Sequence, residues 1–285
     1  MSGAPPDRLS SAVASAIAAL GLEHPAVEPL AGGVANASVR IRDARQDLVL
    51  KLAGDGTPGL GARAESEIAM QSVAAAAGLA PAVVLADPTR GLIVARHASG
   101  RMPTAGEMRD PRLLRRLGAW VARLHALATP PGLPVVDIGA RAAQYLDRLA
   151  GADRGALPAT LLASLESRRR NLPGPARVTA CHHDLHRRNL IDDGARLLAV
   201  DWEYAGPGDP AADLAACIGY HALGRDAIDA LLAGYGPEGE AMRQRIGALG
   251  WIFDCLWYGW NGVAALEGLA IDGAEQAALA ARLAR

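Results

Sequence analysis

The sequence predicts an α+β fold of two lobes, a small N-lobe built on an antiparallel sheet over residues 1–98 and a larger, mainly helical C-lobe over residues 99–285. Three observations lead there. The N-terminal third carries apolar runs of strand length broken by turn-prone residues; later apolar residues recur at helical spacing; and His97 to Thr104, with Gly100 and Pro103, separates the two regimes. At 285 residues, 51% hydrophobic and 21% charged, the chain can bury a sizeable core, which excludes a disordered or fibrous protein.

Element by element, residues 8–20 read as an amphipathic helix stopped by Gly21, whose missing Cβ suits the left-handed position after a helix. Strands are expected at Ala37 to Ile41, Leu48 to Leu52, Ala82 to Leu85 and Leu92 to Ala95, with a helix from Arg63 to Ala77 closed by Gly78. Asp110-Pro111 starts the next helix as cap and first residue, and Leu113, Leu117, Val121 and Leu124 give it one apolar face. Further helices are expected over 140–150, 158–170, 210–234 and much of the chain from 240. Short β-like runs, Leu190 to Ile191 and Leu197 to Val200, flank a polar loop.

The net charge of −1 argues against a nucleic-acid partner. Cys181, Cys217 and Cys255 form neither a metal-ligand spacing nor an even disulfide framework, and MSGAPPDRLS is not a leader, so a cytoplasmic location is expected. Ile246 to Leu266 is apolar enough to be weighed as a membrane span, but Asp254 at its middle makes one unfavourable by about 2.5 kcal/mol or more, and no membrane association is expected.

Of 29 cationic residues 28 are arginine, and Lys51 is the one lysine. A chain that uses arginine wherever a plain charge suffices marks that position as special. The second signal is the run Cys181-His182-His183-Asp184-Leu185-His186-Arg187-Arg188-Asn189, followed by Val200-Asp201-Trp202-Glu203-Tyr204. Its three clustered histidines raise the possibility of zinc, but the spacing fits neither a His-Glu-x-x-His helix nor a finger, and a chemically idle polar turn is the other bland alternative. Asp184 and Asn189 on one loop, with Asp201 closing the next hairpin, can converge so that one carboxylate takes a hydroxyl proton while the other two groups hold magnesium. Phosphoryl transfer requires that arrangement.

The segment His182 to Asn189 resembles the catalytic loop of the aminoglycoside phosphotransferase and choline kinase superfamily, a protein-kinase-like fold. Val200 to Gly206, continued by Gly208-Asp209-Pro210 and Asp213-Leu214-Ala215, is most similar to bacterial choline and thiamine kinases. Gly32-Gly33-Val34-Ala35-Asn36 resembles the choline kinase nucleotide loop, ahead of Lys51 and of Glu67. The resemblance implies ATP and Mg²⁺ as cofactors and a role for each matching residue. Backbone around Gly32 and Gly33, with Asn36, would cover the phosphates, and Lys51 would reach them while paired with Glu67. Asp184 would accept the hydroxyl proton, Asn189 and Asp201 would bind Mg²⁺, and Asp213 would brace the loop through its backbone. Val94 to His97, with Val94 and Arg96 at the site, would be the hinge that reads adenine. His183 stands where many relatives have Gly or Asn, and Arg187 where they often have Pro; either could perturb the base or touch a phosphate.

Nine of the eleven aromatic residues lie after residue 200, five of them within Trp251 to Trp260. Helical spacing groups Trp251, Trp257 and Tyr258 around Asp254, and rings about a carboxylate suit a cationic head group. Glu203 and Tyr204 are assigned to the same acceptor side. Charge agrees, since Asp201 to Arg285 holds 12 acids and 5 bases, leaving the first 200 residues positive. The expected function is an ATP-dependent kinase of a small cationic alcohol of the choline, ethanolamine or thiamine type. An aminoglycoside O-phosphotransferase and a nucleotide-binding pseudokinase are the alternatives.

Overall fold

Alternation along one strand decides where the lysine points. In β3 (Asp47–Ala53) Leu48, Leu50 and Leu52 are buried, so Val49 and Lys51 face the other side of the sheet. The computed structural model describes residues 6–30, 36–54, 63–152 and 156–284. Within them β1 (Ala26–Pro29), β2 (Asn36–Arg42), β4 (Val83–Asp87) and β5 (Leu92–Arg96) join β3 in an antiparallel sheet of order β1-β2-β3-β5-β4. α1 (Pro6–Leu20) lays Ala12 and Ala16 against Val39, Ile41, Leu50 and Val94 on the leucine face. α2 (Ala64–Ala76) lies between β3 and β4 in sequence and buries Glu67, Met70, Gln71 and Ala74 at helical spacing; the Gln71 amide donates to the Pro81 carbonyl at 3.1 Å.

The larger lobe is helical. α3 (Pro111–His125) starts where Asp110 accepts from the Arg112 N–H, as the Asp-Pro pair predicts. α4 (Ile138–Gly151) and α5 (Ala156–Asn171) follow. The catalytic segment is then carried by β6 (Thr179–Cys181), β7 (Leu190–Asp192), β8 (Leu197–Ala199) and β9 (Gly206–Gly208), with β6 paired to β9 and β7 to β8. The expected helix over 210–234 is two, α6 (Pro210–His221) and α7 (Arg225–Tyr235). Ala222 takes a left-handed φ of 46°, and the Ala222 and Leu223 N–H groups fold back on the Gly219 and Ile218 carbonyls, which ends α6. α8 (Pro237–Ala241), α9 (Arg243–Leu266) and α10 (Gly273–Leu283) complete the lobe.

Its core runs through Leu114, Leu117 and Val121 of α3, Leu146 of α4, Leu214 of α6, Leu231 of α7 and Ile252 of α9. Gly118 and Gly234 bring α3 and α7 together backbone to backbone; a Cβ on either would stand 2.1 Å from the Leu231 or Arg115 carbonyl oxygen. No helix among the described residues is long and apolar enough to cross a membrane.

Candidate active site

The loop between β6 and β7 is held from beneath by Asp213 in the first turn of α6. Its fully buried carboxylate accepts from the His182 N–H at 2.9 Å, from the His183 N–H at 2.6 Å and from the His125 imidazole at 3.2 Å. Burial opposes its charge, but the His125 hydrogen bond and the surrounding donors outweigh that and hold Asp213 well below the usual carboxylate range. His183 has a left-handed φ of 64°, the conformation in which Gly or Asn is at ease. Its ring turns inward against Gly208, where a Cβ would lie 2.5 Å away, and neither ring nitrogen hydrogen-bonds Asp184; burial drives its pKa down to about 4, and it stays neutral.

This brace aims Asp184. Asn189, in a single 3₁₀ turn Arg187–Asn189, donates its amide to Asp184 Oδ2 at 2.8 Å and to the Asp184 carbonyl at 3.0 Å, which leaves the amide oxygen for another partner. His186 Nε2 is 3.6 Å from the same Oδ2. Asp184 Oδ1 accepts from the Tyr220 hydroxyl at 2.6 Å. Sequence reasoning missed Tyr220, although it stands seven residues after Asp213 on α6 and so two turns along the same face.

Lys51 meets three carboxylates: Glu67 Oε1 at 2.7 Å, Asp201 Oδ1 at 2.5 Å and Glu203 Oε2 at 3.3 Å. Burial works against the ammonium, but the attraction of Asp201, Glu67 and Glu203 prevails and raises Lys51 well above its ordinary value. Asp201, at a left-handed φ of 63°, turns the chain so that its own side chain and that of Glu203 both face the lysine. Asn36, the first residue of β2, donates to Glu203 Oε2 at 2.6 Å. Glu203 therefore belongs with Lys51 and Asn36, not on the acceptor side, which corrects the sequence expectation. Burial and the Asp201 charge push it up to about 7, against the pull of Lys51.

On its other side Asp184 meets aromatic side chains that α6 and α9 bring together. The Tyr220 ring packs edge-on against Phe253 and Trp257, each at 4.8 Å between centroids, and Trp260 donates its indole N–H to the Tyr204 hydroxyl at 2.9 Å. Phe253, Trp257 and Trp260 share one stripe of α9 by their spacing, and that stripe faces Asp184 through Tyr220. The three other side chains expected to join this stripe have different partners. Trp251, six residues before Trp257, lies on another face and is covered by the Arg168 guanidinium at 4.3 Å. Tyr258 is buried in the core, its carbonyl accepting from Gln276 of α10 at 3.2 Å. Asp254 is already paired, since Arg282 of α10 donates to it at 2.5 Å and sets its guanidinium 5.8 Å from the Trp257 ring centre.

The hinge expectation also shifts. Val94 is fully buried and paired on both sides, with Leu50 and Leu85, while the N–H groups of Arg96 and His97 are taken by the Ala82 and Asp47 carbonyls. These two N–H groups are thus already engaged where the expected hinge would use them. Gly32 and Gly33 lie outside the described residues.

Beside Lys51 the donor chemistry suits a divalent metal, although Glu67, Asp201 and Glu203 do not converge as a set of three ligands. Three carboxylates against one ammonium leave an excess of negative charge, and Asn189 and Asp201 offer the oxygen donors that magnesium prefers. The loop histidines form no metal cluster among the described residues; the one group of suitable geometry is His125, Cys181 and Asp213. There the Asp213 oxygens are already spent on the loop, which makes that group a brace.

A structure with this architecture is known from Mesorhizobium loti, a choline/ethanolamine kinase family protein that is 25% identical, with 97% of this chain and 94% of that one covered at a TM-score of 0.77. A choline kinase from Streptococcus pneumoniae shares the fold at 20% identity, 97% coverage of both chains and a TM-score of 0.78. A thiamine kinase from Shigella boydii is 48% identical over 44 residues, 15% of this chain and 16% of that protein, so the likeness to these curated relatives spans a small part of their length. Residues 26–245, which take in Lys51, Asp184, Asn189, Asp201 and Asp213 but end before the aromatic stripe of α9, match the phosphotransferase enzyme family, to which the chain belongs.

Proposed function

We propose that this protein is an ATP- and Mg²⁺-dependent kinase that phosphorylates the hydroxyl of a small cationic alcohol of the choline, ethanolamine or thiamine type. One observation carries the reading: Asp184 lies between a lysine-carboxylate cluster and an aromatic wall, with its oxygens directed by Asn189 and Tyr220. The likeness to choline/ethanolamine kinases supports it.

In this mechanism Lys51, kept protonated by its carboxylates, binds the α- and β-phosphates of ATP, and Glu67 keeps it aimed. Asn189 and Asp201 would hold magnesium, which when bound neutralises charge on the phosphates. Asp184 accepts the proton of the acceptor hydroxyl as its oxygen attacks the γ-phosphorus and ADP departs. Trp257 and Trp260 offer ring faces to the acceptor's cationic head, each worth about 0.5 to 2 kcal/mol where water is excluded, while the Tyr204 ring already faces the Arg141 guanidinium at 5.5 Å. Buried, unpaired Cys181, Cys217 and Cys255 suit the reducing cytoplasm in which we place the enzyme.

A coupled assay of ADP release over a panel of alcohols tests this reading. Choline, ethanolamine or thiamine should stimulate ADP release with saturation. Stimulation by kanamycin-like polyamines alone would replace the acceptor class with an aminoglycoside, and no stimulation by any alcohol would overturn the kinase reading.

A further inference from the structure

The base of the proposed reaction already has a hydroxyl on it. Asp184 can only accept hydrogen bonds when ionised, and the phenol of Tyr220 donates one to Oδ1 at 2.6 Å while the Asn189 amide donates one to Oδ2 at 2.8 Å. A hydroxyl donating to Oδ1 is what the acceptor alcohol must also present. The ring that places it is fenced by Phe253, Trp257 and His186, with centroids 4.8, 4.8 and 5.3 Å away. The same Trp257 belongs to the wall that would receive the acceptor.

We propose that Tyr220 holds the nucleophile seat on Asp184 while no acceptor is bound, denies that seat to water, and yields it to the acceptor hydroxyl. The inference rests on Asp184 being the base. Water seated on Oδ1 beside bound ATP would be a competing nucleophile: its oxygen would bond to the γ-phosphorus, the bond to ADP would break, and its proton would pass to Asp184. A phenol tethered beside the carboxylate competes with water at high effective concentration. The acceptor overcomes the phenol because it brings contacts that water lacks, its cationic head against the Trp257 and Trp260 rings. The exchange remakes the hydrogen bond to Asp184 but takes from the Tyr220 hydroxyl its partner, a cost of about 1 to 3 kcal/mol that the acceptor's ring contacts must exceed. Tyr220 is thus a positioning residue that couples ATP cleavage to acceptor arrival.

Tyr220→Phe keeps the ring and removes the hydroxyl. The test measures ADP release without acceptor and phosphorylated product with it, for the wild type, Tyr220→Phe and Asp184→Asn. The ratio of acceptor-independent hydrolysis to transfer should rise about tenfold in Tyr220→Phe, the weight of one hydrogen bond to a charged group, with no increase in acceptor KM. An unchanged ratio, or hydrolysis and transfer falling together, would overturn the proposal and leave Tyr220 a packing residue. Asp184→Asn separates the two readings: persisting transfer in that variant refutes the base itself, whereas loss of transfer there with an unchanged ratio in Tyr220→Phe refutes only the seat.

Discussion

The two sides of Asp184 are built on opposite principles. On the proposed nucleotide side Lys51, Glu67, Asp201 and Glu203 are charged, the lysine pairing with all three carboxylates, so position is fixed by strong attraction among few groups. On the proposed acceptor side Tyr204, Tyr220, Trp257 and Trp260 are half-buried rings whose placement comes from packing, and its one carboxylate on α9, Asp254, is spent on Arg282. The first side suits a ligand common to a whole family. The second can be retuned by exchanging one ring for another, which is where acceptor choice would reside.

The sharpest way to break this division is at Lys51. A planar guanidinium cannot sit among three carboxylates and reach two phosphates as a compact ammonium does, so Lys51→Arg should lower kcat/KM for ATP by about a hundredfold despite preserving charge. Steady-state kinetics would show the acceptor KM nearly unmoved. Beneath the same side, His183 ties the catalytic loop to stability. The unfolded chain takes its proton near pH 6.5 and the folded one only near 4, so stability is full above 6.5 and falls, by on the order of 3 kcal/mol, as pH drops to 4. His183→Asn, which tolerates the left-handed backbone, should flatten that part of the curve in denaturant titrations at stepped pH.

Acceptor-side changes should be milder and should leave ATP alone. Trp257→Ala is expected to raise the acceptor KM about tenfold with ATP KM unchanged. Equal effects on both would merge the two sides. Because Arg282 already neutralises Asp254, Asp254→Asn should move the acceptor KM by less than about twofold, while Arg282→Gln exposes the carboxylate and should lower the KM of a cationic acceptor a few-fold.

The same contrast explains what the sequence made legible. Lys51 stood out by composition, and Asp184, Asn189, Asp201 and Asp213 by spacing within one continuous segment, because their geometry is local to a loop, a hairpin and the next helix. α3, long and with a capped start, was equally readable, whereas α6 and α7 read as one helix because the left-handed residue between them is an alanine, Ala222, and not the glycine that marks such an end. β1 was not, being four exposed residues ending in proline, nor was β9, which is Gly-Pro-Gly. The acceptor side depends on which stripe of α9 meets α6 and how α10 docks. Helical spacing alone grouped Trp251 and Tyr258 with Trp257, and the partners that separate them, Arg168 and Gln276, lie on other helices. Glu203 was grouped with its neighbour Tyr204, and the left-handed turn at Asp201 that aims it at Lys51 has no local signal in the sequence.

Phosphorus NMR of the reaction mixture tests the central claim most directly. With ATP, Mg²⁺ and choline, ethanolamine or thiamine, the wild type should form a phosphate ester of the alcohol together with an equal amount of ADP, and Asp184→Asn should form none. A phosphate ester formed by Asp184→Asn, or only inorganic phosphate released by the wild type with every cationic alcohol, would contradict it.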